Sequence, residues 1–232
     1  MIEVFPAESR YQKDLGWLKV KLSFSFGDYF DPNNTAFGVM RVCNDDEVAA
    51  GLGFGPHPHS DMEIVTVVLA GAVRHEDNLG NIKVTSVGEV QRMTAGSGII
   101  HAEYNDSATE KLHALQLWFM PNELGLKPSF EISGYDLADL HNALLPILDP
   151  IGSEHTVKIH QDMTLYLSRL DKGKELSFQQ AEGRRIFIFT IEGSLTVNES
   201  KLDEGDTARI ESQSHLSIRA EEAAFLMLID LP

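Results

Sequence analysis

Short apolar, β-branched runs recur from one end of the chain to the other, at residues 20–26, 37–42, 64–69, 82–86, 112–120, 186–191, 194–197 and 225–229. Clusters of Gly, Asn and Asp, such as residues 77–81 and 198–205, separate them. Runs this short, broken by turn formers, bury their side chains and satisfy their backbone only by pairing with one another, so the fold class is mostly β, an antiparallel barrel or sandwich. A weak internal echo predicts two such bodies in tandem. Leu69-Ala70-Gly71 leads through a turn and short strand to Gly88-Glu89, and Ile191-Glu192-Gly193 leads similarly to Gly205-Asp206. Residues 121–154 lie between them, with Pro121, Pro128, Pro146 and Pro150, and Leu137, Leu140 and Leu144 at three-to-four spacing predict a short linking helix over 135–144. The expected domains are 1–125 and 126–232.

Composition removes several functions. No stretch approaches the roughly 18 apolar residues that span a bilayer, and the opening MIEVFPAESR has no basic region followed by an apolar core, so a cytoplasmic protein without membrane association is expected. A net charge of -16 repels phosphate backbones and argues against direct nucleic-acid binding. Cys43 is the single cysteine, which excludes an intrachain disulfide and a thiolate cluster, so any metal must be held by imidazole and carboxylate.

Those ligand types occur in a suggestive pattern. His57 and His59 stand two apart at the entrance to an apolar strand, and on extended backbone such residues share a face. His101 and Glu103 repeat the parity after the glycine-rich turn 95–98. If the two strands are neighbours, three imidazoles and a carboxylate converge, a donor set that suits iron, manganese, cobalt, nickel, copper or zinc alike. Glu63 shares parity with His57 and His59 on an uninterrupted strand and competes with Glu103 for the carboxylate position. Among other candidates, His113 is expected to be a hydrogen-bonded core histidine, His75 a solvated residue near a hairpin tip, and Cys43 a small buried residue. Met93, Phe54 and Trp118 fit either a pocket lining or the core. His155, His160 and His215 are expected in the second body as scattered histidines, without a second imidazole pair to complete a site.

The segment Gly51-x5-His57-x-His59-x3-Glu63, followed by a strand and Gly71, resembles the first cupin motif, and Gly98-x2-His101-x3-Asn105 resembles the end of the second. More narrowly, the chain resembles the pirin family, especially its bacterial pirin-like members. The likeness is carried by Phe24-Ser25-Phe26-x2-Tyr29-Phe30-Asp31-Pro32, Arg41-Val42-x-Asn44-Asp45-Asp46, His57-Pro58-His59-x-Asp61-Met62-Glu63 and Met93-Thr94-Ala95-Gly96-x-Gly98-Ile99-x-His101-x-Glu103. It covers most of residues 15–121 and continues more loosely through His160-Gln161-Asp162-Met163 and Ile229-Asp230-Leu231-Pro232.

The resemblance implies a bicupin of two jelly-roll barrels in which only the N-terminal one keeps a metal. His57, His59, His101 and Glu103 would be its ligands, with Glu63 as an outer or alternate carboxylate. It further implies one divalent ion per chain, Fe(II) first among the candidates, and a quercetin 2,3-dioxygenase activity in which Glu103 doubles as the base for the flavonol 3-hydroxyl. The alternative it carries is a non-catalytic, redox- or metal-sensing regulator that binds a protein partner.

Overall fold

A computed structural model describes all 232 residues. They form two compact units interleaved in sequence: one of Tyr11–Gly134 and Pro150–Gln161, the other of Met1–Arg10, Tyr135–Asp149 and Asp162–Pro232. A single cut after residue 125 does not describe this arrangement, and strand pairing gives the reason. Strand β1 (Ile2–Phe5) pairs antiparallel with β20 (Thr207–Glu211), setting Val4 opposite Ala208. Residues 150–161, containing β14 (Val157–Lys158), return to the first unit, where Arg92 Nε donates to the Lys158 carbonyl at 2.8 Å and the His160 amide donates to Glu63 Oε2 at 3.2 Å.

In the first unit, β2 (Tyr11–Asp14), β3 (Leu18–Leu22), β4 (Met40–Val48), β6 (Glu63–Ala70), β9 (Glu89–Thr94), β11 (Leu112–Phe119) and β12 (Ser129–Gly134) make one antiparallel sheet, ordered β12-β9-β6-β11-β4-β3-β2. The second sheet is ordered β5-β10-β7-β8, from β5 (Gly53–His59), β7 (Ala72–Asp77), β8 (Ile82–Ser86) and β10 (Ile99–Asn105). Strict alternation in β3 turns Leu18, Val20 and Leu22 inward and leaves Lys19 and Lys21 in water. Central strand β6 is buried over most of its length, which explains why it reads as a continuous apolar run rather than an alternating one. Val48, Val73 and Leu112 join the β3 residues in a core contributed by both sheets. The unit is thus built of two antiparallel sheets, within the barrel-or-sandwich class that sequence predicted.

The other unit repeats the plan, with β13 (Leu145–Asp149), β15 (Thr164–Leu170), β16 (Glu175–Gln179), β17 (Arg185–Glu192), β18 (Leu195–Val197), β19 (Ser200–Leu202), β21 (His215–Ala220) and β22 (Ala224–Leu231). One sheet runs β1-β20-β17-β22-β15-β13, the other β16-β21-β18-β19. Ile186, Ile188, Leu195, Val197, Leu216 and Ile218 fill its interior with aliphatic side chains, each stabilising the fold by about 1.5–3 kcal/mol on burial. The predicted linking helix shrinks to one 3-10 turn, Leu137–Leu140, capped by Asp136, whose Oδ1 accepts from the Ala138 amide at 2.8 Å. Only Leu140 of that turn is buried, and Asn142 at φ 55° ends the helical path, so packing does not offset the cost of helix nucleation. No helix is long and apolar enough to cross a membrane.

Candidate metal centre

The His-x-His segment lies on β5 and His101 on β10, and the two strands are antiparallel neighbours with His101 opposite His57 and Ile99 opposite His59. Alternation then delivers the three imidazoles to one side. Their ring centroids form a nearly equilateral triangle, with edges of 4.8 Å (His57–His59), 4.5 Å (His57–His101) and 4.9 Å (His59–His101). A register shift between His101 and Glu103 places Glu103 opposite Phe54. The close approach of the strands there requires glycine at 53, since a Cβ would lie 2.2 Å from the Glu103 carbonyl oxygen. Gly53→Ala is therefore expected to spread β5 from β10 and lower stability by about 1–3 kcal/mol, with a matching loss of metal affinity. Urea unfolding beside metal titration checks it, and wild-type values in both would show that the strands tolerate the methyl group.

Hydrogen bonding prepares these rings to ligate. The Gly55 carbonyl lies 2.7 Å from His57 Nδ1, which assigns the ring proton to Nδ1 and frees the lone pair on Nε2. For His101 the equivalent partner is another histidine: Nδ1 lies 3.4 Å from His75 Nδ1, and His75 Nε2 lies 2.9 Å from Asp77 Oδ2. One proton arrangement satisfies the chain. His75 donates from Nε2 to the carboxylate and accepts at Nδ1 from His101, which leaves His101 Nε2 free. Burial raises the Asp77 pKa, but hydrogen bonds from His75, Asn81 and the Leu79 amide outweigh it and hold the carboxyl below its usual range.

The free Nε2 atoms of His57 and His101 are 3.0 Å apart, close to the cis edge of an octahedron with metal–nitrogen bonds of about 2.1 Å. Burial, reinforced by the charges of its neighbours His57, His59 and His75, lowers His101 to a pKa of about 3. Burial, then His57, lowers His59 to about 4. Both rings are therefore neutral at physiological pH, the form that binds a metal. The donor set fits a first-row divalent ion.

Glu103 is 6% exposed, and its carboxylate is cradled by amides. Gln91 Nε2 donates to Oε1 at 2.6 Å and Gln116 Nε2 to Oε2 at 2.7 Å. These amides are themselves oriented, Gln91 by Thr85 and Gln116 by Thr66, through 2.8 Å hydrogen bonds from the hydroxyls to the amide oxygens. The four residues singled out in sequence do not all fall in one group: the donor atoms of His57, His59 and His101 lie within 4.8 Å of one another, whereas Glu103 groups in the same way with His101 and His75. His101 is the shared member.

The competing carboxylate goes elsewhere. β5 ends at His59 and β6 begins at Glu63, with Asp61 at φ 62° between them, so the parity expected of one uninterrupted strand is broken. Glu63 is fully buried, 3.4 Å from His160 Nδ1 and 3.9 Å from Arg92 Nε. His160 and His155 thus belong to the first unit, although sequence predicted them for the second.

His75 needs a larger correction. It is not a solvated hairpin residue but fully buried, stacked on Phe130 with ring centroids 4.0 Å apart and bonded to Asp77. The signal that would have found it is His75-x-Asp77, which repeats the two-residue spacing on a strand neighbouring His101. His113 is half-buried and pairs with Asp45 at 2.7 Å, a hydrogen bond that raises its pKa. Cys43 is buried.

A cavity of about 220 Å³ adjoins the triad and reaches Glu103. Leu18, Val20, Leu22, Phe54 and Trp118 give it apolar walls, and Leu15 and Asp28 stand exposed at its rim. The Trp118 ring also packs edge-on against His59 at 4.8 Å. Met93, the third pocket candidate from sequence, is instead a core residue beside Ile64 and Ile99.

Known proteins share this arrangement of sequence and fold. The family model described as Pirin matches residues 4–119, and one described as Quercetinase C-terminal cupin domain matches residues 147–231. The chain is 41% identical over 232 residues to "Quercetin 2,3-dioxygenase" of Escherichia coli (strain K12), covering 100% of this chain and 99% of that protein. It is 38% identical to "Pirin-like protein" of Caulobacter vibrioides, covering 99% of each. The crystal structure of the bacterial pirin YhhW from Escherichia coli in complex with nickel(II) superposes with a TM-score of 0.95 at 41% identity, over 100% of this chain and 99% of that one. Likeness that runs the full length of both partners, through the cupin-type fold and both family models, makes this chain a member of the pirin family.

Proposed function

We propose that the protein is a metal-dependent dioxygenase that opens the heterocycle of flavonols such as quercetin, using one divalent ion, Fe(II), held by His57, His59, His101 and Glu103. The observation that carries this reading is the juxtaposition of three converging imidazoles with an apolar, aromatic-walled cavity. The relative named for quercetin 2,3-dioxygenase activity and the pirin structure with nickel support the reaction class and a first-row ion. In this reading the metal ligands all lie within residues 1–125, and residues 126–232 contribute none. A cavity beside the donors favours catalysis over a purely regulatory role, which requires no guest. A reducing cytoplasm, which keeps iron ferrous, is the compartment the chemistry calls for.

When bound, the ion supplies open coordination positions and redox capacity that bring the flavonol and dioxygen together. The protein's own groups do the rest. His57 and His101 keep their Nε2 lone pairs available because Gly55 and His75 take up the opposite ring nitrogens. Leu18, Val20, Phe54 and Trp118 exclude water and pack against an aromatic guest. Glu103 accepts the 3-hydroxyl proton on a carboxylate oxygen, aimed by Gln91 and Gln116. Both atoms of dioxygen enter the products, and the heterocycle loses one carbon as carbon monoxide.

Aerobic incubation of the Fe(II)-loaded protein with quercetin is expected to bleach the visible flavonol band with stoichiometric carbon monoxide release. No loss of absorbance with any first-row divalent ion would sink the proposal.

A further inference from the structure

Strand β4 carries two polar side chains that neither the metal reading nor the fold uses. Asn44 and Asp46 are two apart, so they share a face of the sheet, and both line the cavity described above. They are 4% and 7% exposed, yet the Oδ1 atom of each is buried without a hydrogen-bond partner. Their cross-strand neighbours offer nothing from the side: Asn44 stands opposite Leu22 and Asp46 opposite Val20 on β3, and Asp46 opposite Ala114 on β11. Gln116, opposite Asn44 on β11, commits its amide nitrogen to Glu103 and its oxygen to Thr66.

A buried acceptor left unpaired costs about 1–3 kcal/mol. Two on one cavity wall cost more than the apolar side chains that would otherwise complete a surface of Leu18, Val20 and Leu22. The cost is recovered only when a donor enters the cavity. Asp46 is suited to such a guest because its unpaired oxygen lies on the same cavity wall as that of Asn44, so the two can meet one ring substituent together. Carboxyl and amide oxygens accept from a hydroxyl group, and the Asn44 amide can also donate to one.

We propose that Asn44 and Asp46 form the hydrogen-bonding end of the cavity, a subsite that recognises hydroxyl groups carried by a planar aromatic guest. The guest's ring lies against the Phe54 and Trp118 side of the cavity, and a ring hydroxyl other than the 3-hydroxyl offered to Glu103 pairs with β4. The assignment rests on the flavonol reading and extends it: the pair selects a polyhydroxylated flavonol over the bare ring system. A site built around buried polar groups discriminates strongly against analogues that leave those groups unpaired.

Anaerobic binding to the metal-loaded full-length protein tests this, with quercetin and 3-hydroxyflavone as probes, the second lacking the outer ring hydroxyls. Wild type is expected to prefer quercetin by about tenfold or more. Asn44→Leu and Asp46→Leu should each remove most of that preference, leave 3-hydroxyflavone affinity and metal content unchanged, and keep or raise the melting temperature, because an unpaired buried polar group is being replaced by an apolar one. A fall in melting temperature or a failure to fold in both variants would make the pair structural and overturn the assignment. Equal wild-type affinity for the two probes, or variants that keep the preference, would overturn it while sparing the flavonol reading. Wild type that binds neither flavonol would sink that reading, and this inference with it.

Discussion

His101→Ala is expected to abolish stable metal binding, with a loss exceeding the roughly 10- to 100-fold typical of removing an outer partner of a ligand. His101 is the member common to both donor groups, it faces His57 across the strand pair, and its Nε2 lies 3.0 Å from that of His57. Removing the ring deletes a proposed ligand and also leaves His75 Nδ1 without its partner. The outer variant Asp77→Asn gives the internal comparison. It keeps all the proposed ligands but takes away the carboxylate that orients His75 and through it His101, so a loss of about 10-fold is expected. Elemental analysis after dialysis against graded chelator measures both. Full metal content in His101→Ala would place the ion elsewhere, and a loss in Asp77→Asn as deep as in His101→Ala would make Asp77 more than an orienting group.

Glu103→Gln should be nearly as damaging, for a different reason. Both carboxylate oxygens accept from amide NH2 groups, of Gln91 and Gln116. A glutamine at 103 must present its own NH2 to one of them. Neither neighbour can turn its amide over freely, because Gln91 Oε1 accepts from Thr85 and Gln116 Oε1 from Thr66. The substitution of similar shape therefore leaves donor facing donor in a buried network, at about 1–3 kcal/mol in stability. Loss of the proposed base should lower flavonol turnover by a further 10²–10⁴-fold, roughly the contribution of a positioned base. Thermal unfolding and turnover at saturating quercetin separate the two effects. Wild-type turnover in Glu103→Gln would remove Glu103 as the proton acceptor.

The same cradle explains which parts of the site could be read without coordinates. His57, His59, His101 and Glu103 can be proposed from spacing because local alternation along extended backbone is a property of covalent geometry, and two-residue spacing survives whatever the strand pairs with. Spacing alone leaves Glu63 open as an alternate, because its parity holds only for an uninterrupted strand and the left-handed residue at Asp61 turns the chain. His75 was missed because burial of that face depends on the packing of Phe130, distant in sequence. The linking helix failed on a related ground: Leu137 stays exposed, and Asn142 in the left-handed region turns the chain between Leu140 and Leu144, so leucine spacing there does not mark one helical face.

What the residues alone determined was the β class, the two-fold repetition of the plan, the family resemblance and the histidine spacing, all of which follow from patterns spanning a few positions. Tertiary structure decided the rest: the register that sets His101 opposite His57, the interleaving of the two units through β1 and residues 150–161, the amides that hold Glu103, and the unpaired oxygens of Asn44 and Asp46. Those features arise from hydrogen bonds and side-chain contacts between residues far apart in the chain. Their energies depend on which strands become neighbours, and that choice is made only when the whole chain packs.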